Sequence, residues 1–250
     1  MRLRVWRMGP SWCSAGPLAV MGECGGAQVG PLVAAGYRVI RMDHRGNGGS
    51  AVPEGPYTLA DLGGDALGLL DRLGVERAHW VGLSLGGMVG MWLGENASER
   101  LRSLTLCCTS AELPPVNWAE RARAVRANGM GWLAETSMNR WFTPDWQRDH
   151  PDEVRFFQEM VGAQPVEGYV ACCGAIETMD IAAGLGAITT PTLVISGADD
   201  PATTTADGRR IAAGIPGARF EIVGPGAHLA TTEAADQVNP LILRHLEENS

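Results

Sequence analysis

One pentapeptide restricts the folds open to this 250-residue chain. Gly82-Leu83-Ser84-Leu85-Gly86 reads G-x-S-x-G. Ahead of it, Ala78-His79-Trp80-Val81 is a short apolar run suited to a buried strand. Behind it, Gly87-Met88-Val89-Gly90-Met91-Trp92-Leu93-Gly94 suits a buried helix. A strand that enters a helix through so sharp a turn strains the serine backbone and lifts its hydroxyl above the sheet edge. Gly82 and Gly86 let strand and helix approach closely. An ordinary serine in a glycine-rich turn is the plain alternative in a chain with 33 glycines. The strand and helix on either side weigh against it.

A serine hydroxyl is a poor nucleophile at neutral pH. It needs a base to take its proton, and the base needs a carboxylate to fix its tautomer. After such an elbow the acid and then the histidine follow in the chain. Thr192 to Ser196 is an apolar strand running into Gly197-Ala198-Asp199-Asp200. Arg219 to Val223 is a second strand, followed by Gly224-Pro225-Gly226-Ala227-His228. A loop there can swing His228 over the sheet. His79 lies in the serine's own strand, His44 in a strand-turn, His150 in a charged segment and His245 on the last helix, so all are poorer bases.

These pieces together resemble the α/β-hydrolases, and more narrowly the 3-oxoadipate enol-lactonases. The matching runs are Asp43-His44-Arg45-Gly46-Asn47-Gly48-Gly49-Ser50, Gly82 to Gly90, Trp141-Phe142-Thr143-Pro144, Gly197 to Pro201 and Ala227-His228-Leu229. The similarity runs from about Gln28 to the C-terminus. Asn47 stands where the family usually has His, and Thr204 where it usually has Pro. The family pattern G-x-x-D selects Asp200 over Asp199, which should face the other way. The resemblance implies a mostly parallel sheet with helices on both faces and a helical lid insertion. It implies a catalytic set of Ser84, Asp200 and His228, with the Leu85 N–H in the oxyanion hole. It also implies opening of 3-oxoadipate enol-lactone by water in aromatic-compound catabolism, with no cofactor or metal.

Composition agrees. Residues are 45% hydrophobic and 19% charged, enough for a large core. The formal charge of −8 argues against nucleic acid and anionic membranes. No unbroken apolar run is long enough to span a bilayer. The six cysteines include two adjacent pairs without metal-ligand spacing, and read as reduced thiols of a cytoplasmic protein. The expected partner is a small lactone or ester.

The core is expected over 1–111 and 190–250, with the lid over 112–189. Thr58-Leu59-Ala60-Asp61 resembles a capping box, and Leu59, Leu62, Ala66, Leu69, Leu70 and Leu73 form one helical stripe closed by Gly74. The last helix is expected from Asn239, with Pro240 in its first turn. Pro114 and Pro115 open the helical insert, which carries Trp118, Trp132, Trp141 and Trp146. Trp118 and Trp132 are expected to hold the insert together. Arg140 and Trp141 are candidates for substrate binding, because an acetate-bearing lactone needs a cation. Arg121, Arg123 and Arg126 compete for that role.

Residues 1–27 fit poorly. Gly9 to Gly26 contains Pro10 and Pro17 and reads as a poor strand, where the family has a strand and an oxyanion loop. With suitable codons, reading in a frame offset by two bases turns this segment into P-V-L-V-L-G-R-S-L-G-G-D-G-R-M-W-R. One explanation is therefore a frame error before Ala27-Gln28, and the other a divergent terminus. Rival functions are a carboxylesterase, a C–C hydrolase, a cofactor-free perhydrolase, a non-catalytic small-molecule receptor and a damaged enzyme.

Overall fold

A burial pattern without alternation marks the middle of the sheet. Every residue of β4 (Ala78–Leu83) and of β6 (Thr192–Gly197) is buried, as expected for parallel strands covered on both faces. The structure is a computed structural model that describes residues 4–5, 11–15, 26–112 and 118–250. Among these, seven strands form one sheet in the order β1-β3-β2-β4-β5-β6-β7. The others are β1 (Arg4–Val5), β2 (Ser11–Ala15), β3 (Arg38–Met42), β5 (Leu101–Cys107) and β7 (Arg219–Val223). All pairings are parallel except β1 with β3.

Successive strand residues feed two cores, because side chains alternate across a sheet. Val39, Val81, Leu193 and Ile195 pack with α1 (Gly26–Ala34) and α10 (Ala235–Glu247). Ile40, Trp80, Leu104 and Val194 pack with α2 (Leu59–Arg72), α3 (Leu85–Asn96) and α8 (Thr205–Gly214). The start of α2 is fixed by its cap. Thr58 Oγ1 accepts the Asp61 N–H at 3.1 Å, and Asp61 Oδ2 accepts the Thr58 N–H at 2.9 Å. The stripe Leu59, Leu62, Ala66, Leu69 and Leu70 is buried as the spacing requires. Between β5 and β6 stand α4 (Trp118–Trp141), α5 (Pro144–Asp149), α6 (Pro151–Gly162) and α7 (Val166–Glu177).

Three sequence expectations are overturned. The segment read as a poor strand contains β2, which lies between β3 and β4 and pairs with both. A five-residue parallel strand is held by its two neighbours' ladders, so the flanking Pro10 and Pro17 need only fall outside it. The last helix begins at Ala235, not Asn239, and carries Pro240 inside it. Burial of Val238, Ile242, His245 and Leu246 along one face outweighs the hydrogen bond that Pro240 cannot make. Trp132 does not hold the insert together: it is 38% exposed. Trp118 does pack against the core, and its ring lies under the Arg121 guanidinium. The frame of residues 1–27, Cys24 and the Pro114-Pro115 break fall outside what the described residues address. Cys107, Cys108, Cys172 and Cys173 are free and buried.

Two buried histidines make stability depend on pH. Burial pushes both His44 and His79 down to about 4. Neither ring nitrogen of His44 finds a hydrogen-bond partner among the described residues, while His79 Nδ1 sits 2.8 Å from Ser103 Oγ. The unfolded chain takes up these protons near pH 6.5, whereas the folded chain refuses them until about pH 4. Stability is therefore complete above pH 6.5 and falls as pH drops, by up to roughly 3 kcal/mol per histidine. Urea midpoints measured at pH 7.5 and pH 5 should drop clearly at the lower pH; equal midpoints would contradict this account.

Candidate active site

Ser84 stands between β4 and α3 with φ 54° and ψ −115°. That positive φ favours glycine, and a serine held there stores on the order of 1–3 kcal/mol. The neighbours hold it in place. Ser84 N donates to Cys107 O at 3.0 Å, and Thr109 Oγ1 donates to Ser84 O at 2.7 Å. Gly82 is required because a Cβ there would lie 2.1 Å from Gly86 O. The turn brings the Leu85 N–H to the first position of α3, where no carbonyl of the helix can accept it. The end of the helix dipole adds partial positive charge at that point.

Sheet order brings the other two residues to Ser84. His228 follows β7, and its Nε2 lies 2.9 Å from Ser84 Oγ. Its Nδ1 lies 2.8 Å from Asp200 Oδ2, on the loop after β6. The Asp200 side chain is fully buried. Burial alone would raise its pKa, but His228 and the Thr203 hydrogen bonds outweigh burial and hold it below the usual carboxylate value. Oδ1 accepts the Ala202 N–H at 2.8 Å and the Thr203 N–H at 3.0 Å. Oδ2 accepts the Thr203 hydroxyl at 2.7 Å as well as the His228 ring. A charged Asp200 has no proton to give, so the Nδ1 proton belongs to His228 and Nε2 faces Ser84 as an acceptor. That arrangement can remove the Ser84 proton as its oxygen attacks a carbonyl.

Asp199 is exposed and faces elsewhere. Its Oδ2 accepts the Gly226 N–H at 3.1 Å, which ties down the loop before His228. Among the described residues no other histidine hydrogen-bonds Ser84. His245 Nε2 donates to Leu104 O at 3.0 Å, and His150 stacks on Trp146. Loop residues 16–25, where a second oxyanion donor was expected, lie outside the described residues.

The inserted helices reach the histidine loop at the end of α4. The Arg140 carbonyl accepts the His228 N–H at 3.4 Å, and the Trp141 carbonyl accepts the Leu229 N–H at 2.9 Å. The Trp141 side chain is buried in the core. Arg140 is half-buried, and among the described residues no carboxylate pairs with it. Burial, then the neighbouring Arg121 charge, pull its pKa below the ordinary arginine value. Arg121 donates to Tyr169 Oη at 2.5 Å. Arg126 is paired with Glu167 at 2.6 Å in solvent, and Arg123 is exposed. Of the four arginines, Arg140 is both close to His228 along the backbone and without an acid partner.

An open cleft of about 760 Å³ lies between residues 52–56, the start of α4 and α7. None of Ser84, Asp200 and His228 lines it. Among the described residues no cluster of His, Cys, Asp and Glu could hold a metal ion, and no helix is long and apolar enough to cross a membrane. Thr203 went unnoticed in the sequence. Its position three residues after Asp200 is the spacing at which a side chain closes a turn on itself, and that was the available signal.

Strand, elbow, buried acid and looped histidine define a class, and the comparisons agree with it. The chain belongs to the alpha/beta hydrolase fold family, whose model matches residues 22–235. Within that family it is similar to 3-oxoadipate enol-lactonase 2 of Acinetobacter baylyi, at 36% identity over 81% of this chain and 76% of the relative. The solved enol-lactonase of Burkholderia xenovorans superposes with a TM-score of 0.95 at 34% identity, covering 98% of this chain and 96% of that one. The RutD protein of Variovorax paradoxus, whose name refers to carbamate hydrolysis, is 33% identical over 83% of this chain and 81% of its own.

Proposed function

We propose that the protein opens a small enol-lactone carrying a carboxylate arm, 3-oxoadipate enol-lactone being the favoured substrate. The observation that carries this reading is the unbroken hydrogen-bonded chain from Asp200 through His228 to Ser84. His228 Nε2 takes the Ser84 proton while Oγ attacks the lactone carbonyl. The carbonyl oxygen becomes an oxyanion facing the Leu85 N–H, and the ring C–O bond breaks with His228 returning the proton to the leaving enol oxygen. Water, deprotonated by the same histidine, then releases the product acid and restores Ser84. Asp200 steadies the imidazolium in both halves. The helices over 112–189 act as the lid, and the fold supplies both steps without a metal or organic cofactor.

The lactonase relatives support this choice, as does Arg140, whose carbonyl accepts the His228 N–H and whose guanidinium pairs with no carboxylate among the described residues. Arg140 would hold the substrate's carboxylate, with Trp141 fixing the backbone from which it projects. Arg140→Met should raise KM for the anionic lactone by roughly tenfold or more, because a hydrogen bond to a charged group is lost. The change for neutral p-nitrophenyl acetate should be much smaller. Equal effects on both would remove Arg140 from the carboxylate site.

A carbamate or simple ester is the second reading, favoured by the RutD relatives. Side-by-side turnover of the enol-lactone, p-nitrophenyl acetate and a small carbamate tests the choice. The lactone should show the highest kcat/KM. A carbamate or simple ester turned over faster would reverse it, and no turnover of any would return the chain to a non-catalytic receptor.

A further inference from the structure

Glu233 lies in α9 (Ala230–Glu233), five residues beyond His228, and its carboxylate joins two segments of the chain. On one side Oε2 accepts the N–H of Ala227, the residue before His228, at 2.9 Å. On the other, the carboxylate accepts the Thr143 N–H at 3.1 Å to Oε1 and 3.3 Å to Oε2. The Thr143 hydroxyl donates to Oε1 as well. Thr143 caps α5 and follows the end of α4, so it belongs to the inserted helices. The backbone bonds from His228 to Arg140 and from Leu229 to Trp141 run alongside. The insert is thus fastened to the histidine loop across 140–143 and 227–229.

That loop needs fastening. Gly224-Pro225-Gly226 precedes Ala227, and glycines fix few backbone angles on their own. Asp199 holds Gly226 from the sheet side, and Glu233 holds Ala227 from the insert side. Three donors converge on Glu233. A carboxylate offers two oxygens and only accepts, whereas the amide of glutamine would turn an N–H group toward the backbone N–H of Thr143 or of Ala227, neither of which can accept.

We infer that Glu233 is a positioning residue: it sets the height of His228 over Ser84 and makes that setting depend on the seating of the inserted helices through Thr143. The inference rests on reading Ser84, His228 and Asp200 as the reaction centre. Its energetic reach follows from geometry. The Nε2–Oγ distance is 2.9 Å, and a displacement of about 1 Å at such a contact costs on the order of a hundredfold in rate.

The test uses p-nitrophenyl acetate, a neutral ester too small to depend on carboxylate binding by the insert, and compares Glu233→Gln, Thr143→Val and the double variant. Glu233→Gln should lower kcat by about tenfold or more with KM changed little, because the histidine and not the binding site is displaced. Thr143→Val should lower kcat by a smaller factor, about threefold, and the double variant should be no worse than Glu233→Gln alone, as expected for residues acting through one contact. A Glu233→Gln protein with native melting temperature and unchanged kcat would overturn the inference. So would losses that simply multiply. Should Glu233→Gln not fold, an unchanged kcat in Thr143→Val overturns it equally. Ser84→Ala measured in parallel keeps the two readings apart. Hydrolysis surviving in Ser84→Ala removes the reaction centre itself, while an inactive Ser84→Ala beside a fully active Glu233→Gln removes only the positioning role.

Discussion

Ser84→Ala should lose roughly a thousandfold or more in kcat/KM on both lactone and simple ester, with the fold unchanged. The substitution removes the oxygen proposed to attack and little else. Ser84 Oγ makes its hydrogen bond with His228 Nε2, while the elbow is held through backbone atoms, by Ser84 N to Cys107 O and by Thr109 Oγ1 to Ser84 O. Alanine keeps both of those. It does not relieve the positive φ, since its Cβ meets the same steric limits as that of serine. Melting temperature should therefore change little while turnover collapses. Covalent labelling by a fluorophosphonate should vanish with it, because that reagent needs the same activated oxygen. If the variant keeps most of its rate, another group attacks the substrate and the elbow is only structural.

How much of this was legible in the sequence depended on whether the signal was local. The elbow was legible because Gly82 and Gly86 answer a local steric demand, and the structure shows the clash that a Cβ at 82 would meet. The α2 cap was legible because Thr58 and Asp61 bond each other across one turn. Strand ends and chain order pointed to His228 and to the pair Asp199-Asp200, the family resemblance selected Asp200 of the two, and the sheet brings Asp200 and His228 to Ser84. The link from Glu233 to the insert carried no local signal, because Thr143 is 90 residues away. β2 escaped for a related reason. Its hydrogen bonds run to β3 and β4 on either side, and a central parallel strand needs no periodicity of its own. Trp132 differs because aromatic content alone pointed to a buried role, whereas its position on α4 leaves it exposed. The α10 start was placed too late because proline is tolerated in a first turn, and tertiary packing can carry it deeper.

The two neighbouring acids give the largest contrast that a single-atom change can test. Asp200→Asn should lower kcat/KM by on the order of a thousand- to ten-thousandfold, and Asp199→Asn by only a few-fold. The reason lies in what each carboxylate accepts. Asp200 takes four donors: the Ala202 and Thr203 N–H groups on Oδ1, and the Thr203 hydroxyl and the His228 ring on Oδ2. In an asparagine, the carbonyl oxygen best replaces Oδ1, since backbone N–H groups cannot turn into acceptors. The amide nitrogen then stands in the place of Oδ2 and donates to His228 Nδ1. The imidazole must carry its proton on Nε2, where it points at Ser84 and can no longer accept the serine proton. The Thr203 hydroxyl can rotate to accept from the new amide, so the fold should survive. Asp199 is exposed, and its contact with the Gly226 N–H needs only one oxygen, which asparagine keeps. A pH profile separates tautomer loss from a simple titration shift: raising the pH should not restore Asp200→Asn, because the misplaced proton sits on Nε2 of a neutral imidazole, which does not ionise in the working pH range. Recovery at high pH would overturn the tautomer account, and a larger loss in Asp199→Asn would assign the acid's role to that residue.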